Sequence, residues 1–231
     1  LEPETMQEHI ELVQKKFELL CTTHQIDIVL DSLIFDLLRK HNFEKDLKMG
    51  SFIKRLFVNT VVFHDFGKIN ENFQASPDKM NNSHFQGRER FQSVISTHHS
   101  ALGAYIYLVK HLDEIYNTFD NDDEKELPML CVIVLSYIIF KHHAKYLGDN
   151  YTDTIGFKEN QIDCIKEYLS LYQYSEVNSY FVKQFLKNEN IKEKFDDFER
   201  EGYLNSFELY ALTRLSFSML TASDYLASSQ Y

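Results

Sequence analysis

A histidine and an aspartate stand side by side at the end of an apolar run, in Val61-Val62-Phe63-His64-Asp65-Phe66-Gly67-Lys68. Both can bind a metal ion, and Lys68, three residues after Asp65, can meet a phosphate. Other imidazoles fall on apolar faces far along the chain: His9, His99 and the adjacent pair His142 and His143. A second carboxylate, Asp224, lies on a stripe with Phe217, Leu220 and Ala227. Carboxylates on buried faces are costly unless paired or metal-bound. These stripes carry little Arg or Lys to pair with them. One inward histidine is an ordinary hydrogen-bonded core residue. Five together with two inward carboxylates point to metal binding.

The donor types narrow the chemistry. Imidazole and carboxylate without thiolate suit Fe, Mn, Ni or Co, with Mg or Zn as further options, better than a structural cysteine-type zinc. Seven ligands exceed what one small cation takes. They suit two divalent ions about 3.5–4 Å apart sharing a carboxylate, an arrangement that acidifies a bound water and clamps a phosphate. Asp65, next to His64, is the natural bridge. Lys68 reads equally as a helix-end cation that suits the dipole or as a contact to the scissile phosphate. His98 and His99 point about 100° apart on a helix, so only one of them faces inward. His24, His41 and His111 fall near helix ends or polar faces, and His84 in a loop.

The elements that must position these groups are helical. Only seven glycines and three prolines in 231 residues argue against a turn-rich β fold. Hydrophobic periodicity predicts helices over 4–21, 26–41, 52–66, 98–116, 127–145, 157–172, 177–187 and 191–201, with a last one from about 205 to 229. Gly67 is the expected terminator of the third. The polar stretch 70–92 reads as a long loop with one helical turn near Phe73. Thr97 is the expected N-cap of the fourth helix, and Asp120–Glu126 a solvated acidic connection. Leu127–Lys145, apolar nearly all round, should be the central buried helix. Asn205 with Glu208 resembles a capping box. No repeat or domain boundary emerges, so residues 1–231 are expected to form one all-α globular domain.

Composition excludes several classes. A hydrophobic content of 44% with 26% charged residues fits an ordinary globular protein. The net charge of −11 disfavours holding DNA by bulk charge, but allows a site that meets phosphates through bound cations. Cys21, Cys131 and Cys164 read as reduced, buried thiols of a cytoplasmic protein. The apolar run Leu127–Phe140 is shorter than the ~20 residues a membrane span needs, and no signal peptide precedes the first helix. Gly67-Lys68 is followed by Ile69 and lacks the upstream glycine of a phosphate-binding loop. His-Glu-x-x-His and Gly-x-Ser-x-Gly are absent.

The ordered set of motifs resembles the HD phosphohydrolase superfamily, and within it the HD nuclease domain of the type I CRISPR helicase–nuclease. The residues that carry the likeness are His64-Asp65-x-Gly67-Lys68 with Phe73-Gln74, His99-Ser100-x-x-Gly103-Ala104, His142-His143 and Ser223-Asp224-x-Leu226-Ala227-Ser228. With His9 they run through nearly the whole chain. The resemblance implies a metal-dependent nuclease for single-stranded DNA, acting with a helicase motor, fused or separate, and a CRISPR surveillance complex. It implies one ion on His9, His64, Asp65 and Asp224, and a second on Asp65, His99, His142 and His143. It favours His99 over His98 and places Lys68 by the phosphate, with Gln74 and Arg88 as further substrate contacts. Lys79 and Arg90 join Lys68 and Arg88 as candidates for steering the strand. Ala144 stands where this family commonly has glycine. The chain opens at Leu1 and closes just after the Asp224 motif, as expected of an excised nuclease domain or a stand-alone subunit. Two other classes compete: an HD hydrolase of small nucleotides, and a non-catalytic HD domain that only binds a partner.

Overall fold

The structure, a computed structural model, describes residues 5–87, 99–148, 151 and 188–229. The described residues contain eight α-helices and one 3-10 turn, with no strand among them. They are α1 (Met6–His24), α2 (Ile26–Lys40), α3 (Leu47–Phe63), the 3-10 turn Phe66–Ile69, α4 (Glu71–Ala75), α5 (His99–Thr118), α6 (Asp122–Lys141), α7 (Asn188–Arg200) and α8 (Phe207–Ser228). The all-α expectation is met. The expected helices over 157–172 and 177–187, and Thr97, His98, Arg88, Arg90 and Cys164, lie outside the described residues.

Helix starts follow capping chemistry. Thr5 and Glu8 form a capping box at α1, satisfying donors that the first turn leaves open. Asp46 accepts a bond from the Met49 amide at 2.9 Å, so α3 begins at Leu47 rather than at Phe52. The supposed acidic loop is largely the first turn of α6. Asp122, Asp123 and Glu124 sit at its N-terminus, where the helix dipole favours negative charge. At α8 the cap is Ser206, one residue later than expected; its hydroxyl accepts from Leu209 N and donates to Glu208.

α6 is the axis of the core. Its residues from Leu127 to Ile139 are buried on every side, as its apolar composition requires. α5 packs along it, α3 flanks both, and α1 lies against α8. Burial of each Leu, Ile or Phe contributes about 1.5–3 kcal/mol, so the frame that carries the histidines is firmly held. Cys21 and Cys131 are free and buried, in line with the sequence reading. No helix among the described residues is long and apolar enough to cross a membrane.

Gly67 has a different role from the one expected. α3 ends at Phe63, before it, and Gly67 lies inside the 3-10 turn. A Cβ on Gly67 would stand 1.9 Å from the carbonyl oxygen of His99, and one on Gly103 would stand 2.8 Å from that of Phe63. The two glycines let the backbone around His64 and Asp65 lie directly on the first turns of α5. Gly50, inside α3, has only ordinary contacts around its absent Cβ, at 3.4 Å and beyond. Gly67→Ala is therefore expected to lower the melting temperature by roughly 3–10 °C through overpacking. Gly50→Ala should leave it unchanged or raise it by about 1–3 °C through helix propensity. Thermal melts followed by circular dichroism check both, and equal behaviour of the two variants would remove the close-approach account.

Candidate metal centre

His64 and Asp65 sit where α3 gives way to the 3-10 turn. His64 is the last α-type residue, and Asp65 has φ −103° and ψ 1°, the bridge conformation common at functional sites. Departing from the helix turns both side chains inward: His64 is fully buried and Asp65 is 1% exposed. Around Asp65 the fold gathers side chains from four other segments.

The two carboxylate oxygens of Asp65 face different partners. Oδ2 lies 3.2 Å from His9 Nε2 and 3.5 Å from His64 Nε2. Oδ1 lies 3.2 Å from His99 Nε2 and 3.8 Å from His142 Nε2. Asp224 Oδ1 closes the first side, 3.3 Å from His9 Nε2 and 3.8 Å from His64 Nε2. His143 closes the second, its Nε2 2.9 Å from that of His99. Donor atoms of Asp65, His99, His142 and His143 lie within 4.8 Å of one another, and so do those of His9, His64 and Asp65. The seven residues singled out from the sequence thus converge in two groups joined at Asp65.

Outer contacts aim the rings. His64 Nδ1 lies 2.7 Å from Val61 O, and His142 Nδ1 lies 2.6 Å from Ile139 O. A carbonyl can only accept, so each Nδ1 carries a proton, and in the neutral ring that leaves the Nε2 lone pair directed to the site. The Phe73 ring meets His99 edge-on at 5.0 Å between centroids. His142 and His143 serve one cluster although adjacent, because α6 stops at Lys141 and the chain turns between them.

These residues fit a divalent cation. His64 Nε2, His142 Nε2 and Asp65 Oδ1 are buried, converge, and make no hydrogen bond of proper geometry. Native proteins seldom leave such atoms unsatisfied in protein alone, and nitrogen and oxygen donors of this kind are those divalent ions take.

Charge within the protein balances Asp65. Lys68 Nζ lies 2.5 Å from Oδ2, and its side chain remains 30% exposed. Hydrogen bonds to Asp224 and Asp65 raise the His9 pKa to about 10, against the opposing effect of burial. Burial pushes the Asp65 carboxyl upward, but the close approach of the His9 and His99 imidazoles outweighs it and holds the group well below the ordinary range. Asp224 is depressed in the same way despite burial. Burial holds His142 neutral, with its pKa near 3, and pushes His143 down as well.

Gln74, expected to touch substrate, has both ends of its amide engaged. Nε2 donates to Lys68 O at 2.7 Å, and Oε1 accepts from Asn82 Nδ2 at 3.4 Å. It ties the turn carrying Lys68 to residues 76–87. His111, expected near a polar face, is instead fully buried, with Nδ1 2.8 Å from Glu114 Oε2 and Nε2 3.3 Å from Asn59. Those partners lie on its own helix and on α3, and no hydrophobic pattern announces them. His41 stacks on Tyr203 at 4.5 Å, and His84 lies in an exposed turn.

An all-helical frame around a shared His-Asp centre defines the chain as an HD-type protein with a cluster that could hold divalent metal. The family model described as "Cas3, HD domain" matches residues 19–231, and the chain belongs to this family of CRISPR-associated HD nucleases. His9 lies outside the matched stretch, so its place in the cluster rests on geometry. Comparison with curated proteins and with solved structures returned no match.

The shifts predict how protein freed of metal by a chelator responds to pH. The His9 pKa is raised on folding, so its contribution is complete below about pH 6.5 and is lost as pH climbs through about 10. The contributions of Asp65 and Asp224 are present above the ordinary carboxylate range and are lost in acid. Neutral His142 loses its own contribution as pH falls from about 6.5 toward 3. Stability should peak near neutrality, and His9→Ala should flatten the alkaline decline in melting temperature. Because a ligand imidazole must be neutral, Mn2+ binding near pH 7.5 should release a proton from His9. Calorimetry in two buffers of different ionisation enthalpy measures that release; an unchanged release in His9→Ala would count against the assignment.

Proposed function

We propose that the protein is a metal-dependent nuclease that cuts single-stranded DNA by two-metal phosphodiester hydrolysis in type I CRISPR interference. The observation that carries this reading is the split of Asp65, with one oxygen toward His9 and His64 and the other toward His99 and His142. In this reading His9, His64, Asp65 and Asp224 hold one divalent ion, and Asp65, His99, His142 and His143 hold the second. The preferred ions are Mn, Fe, Ni or Co, which the nitrogen-rich donor set favours over Mg. Such ions supply an acidified water and neutralise the charge that builds on a transferring phosphate.

The chain's own groups do the rest. The carbonyls of Val61 and Ile139 fix the tautomers of His64 and His142, so both Nε2 atoms serve as donors without rearrangement. Lys68, partly exposed beside Asp65, would offer its ammonium to a phosphate oxygen once bound ions balanced the charge of Asp65. Gln74 holds the backbone of Lys68 through its Nε2 and lies beside it as a further contact to the strand. A net charge of −11 supports weak capture of DNA by the chain alone. Delivery then falls to a helicase motor and the CRISPR surveillance complex, in the cytoplasm.

Circular single-stranded DNA incubated with Mn2+, Co2+ or Ni2+ tests the reading, because a circle offers no end and reports internal cuts. Asp65→Ala removes a ligand common to both groups. It should reduce cutting by more than the ~10–100-fold typical of losing an outer-shell partner, with helical circular dichroism retained. Full activity in that variant, or faster turnover of free nucleotides than of the circle by the parent protein, would overturn the assignment.

A further inference from the structure

The acidic charge of this protein is unevenly spread. Between Glu126 and Asp149 there is no acidic residue, while Lys141 and Lys145 fall in that span. Between Glu208 and Asp224, Arg214 is the only charged residue. The fold joins the two spans: Arg214 Nη1 donates to Leu147 O at 2.8 Å, tying α8 to the turn that follows His142 and His143. The same guanidinium lies 5.0 Å from the centre of the Tyr210 ring, and Lys145 Nζ lies 5.5 Å from that of Tyr146. Tyr146 is 74% exposed and Tyr210 51% exposed. A chain of net charge −11 thus carries two pairs of a cation with an exposed aromatic ring, linked through Arg214 and Leu147, and the first of them follows the exposed His143 by two residues.

We infer that Lys145 and Tyr146, with Tyr210 and Arg214, form a landing strip on which single-stranded DNA lies as it enters the site at His143. The inference rests on the nuclease reading above and goes beyond it by naming the surface. Rings meet bases and cations meet phosphates, the pairing by which proteins hold single strands without reading sequence. The net charge of −11 opposes a polyanion in general, so a modest cationic patch weighs in where the strand lies. Three residues of chain reach at most about 11 Å from His143 to Tyr146. Along α8, the 14 steps from Tyr210 to Asp224 rise about 21 Å. The strip therefore serves strands of several nucleotides and does nothing for a mononucleotide.

Binding is measured by fluorescence anisotropy at low salt, in chelator so that nothing is cut. The probes are a labelled oligo-dT of about 20 nucleotides, longer than the ~4–16 that single-strand sites occupy, and an abasic strand of equal length. Tyr146→Ala and Tyr210→Ala should each weaken oligo-dT binding about fivefold or more while leaving the abasic strand unaffected. Tyr146→Phe keeps the ring and should bind as the parent does. Lys145→Ala should weaken both strands and reduce the salt slope by about 0.7. No binding by the parent protein, or alanine variants that bind as the parent does, would overturn the strip. Cleavage of the same oligo-dT in Mn2+ separates this from the nuclease reading. Cutting with binding indifferent to these variants removes the strip alone. Binding through the strip without cutting in Mn2+, Co2+ or Ni2+ removes the nuclease reading and leaves the strip standing.

Discussion

A carboxylate at 1% exposure has to be compensated, and in this protein that requirement organises everything near it. Asp65 lies among imidazoles from α1, from the end of α3, from the start of α5 and from the turn after α6, with Lys68 on its own 3-10 turn. A solitary buried charge would be driven to neutrality. Here hydrogen bonds and nearby positive charge keep it ionised, and each oxygen addresses a separate set of nitrogen donors. The same balance that holds the carboxylate makes the cluster suited to divalent cations, which can take over the charge that His9 and Lys68 supply.

The surrounding helices matter through how little they let the cluster move. α6 is buried on all sides, α5 lies along it, and the backbone at Gly67 touches that at His99 too closely for any side chain to intervene. Two histidine rings are further fixed by carbonyls three residues before them. Rigid elements supporting outer contacts that fix each ligand are what a metal site needs for a defined geometry. α4 adds a buttress on the outer side: Phe73 packs on His99, and Gln74 anchors the backbone of Lys68.

Membership of the "Cas3, HD domain" family and the geometry agree on the class of chemistry. The charge distribution adds what neither supplies. An acidic protein with a centre for cations meets a polyanion chiefly through that centre and through the limited faces that do not repel it. The turn after His143 and the adjoining part of α8 carry two cations beside exposed tyrosine rings.

Much of the centre was legible in the sequence. His64, Asp65, His99, His142, His143 and Asp224 were recognisable because polar groups on apolar stripes need a reason to be there, and helical periodicity exposes such stripes. Composition likewise settled the all-α class, since few glycines and prolines and long amphipathic runs leave little else. Local phase could not show that α3 ends before His64, because capping and a 3-10 turn override periodicity there. Nor could it show that Gly67 permits close approach rather than stopping a helix, because the obstructing atom belongs to His99, distant in sequence. Nor could it show that the Gln74 amide bonds to the Lys68 carbonyl and to Asn82, because those contacts depend on how the 3-10 turn and the residues after α4 fold back. Residue types determined which chemistry is available. Only the tertiary structure decided which oxygen of Asp65 faces which histidine, because that depends on through-space distances among segments more than a hundred residues apart.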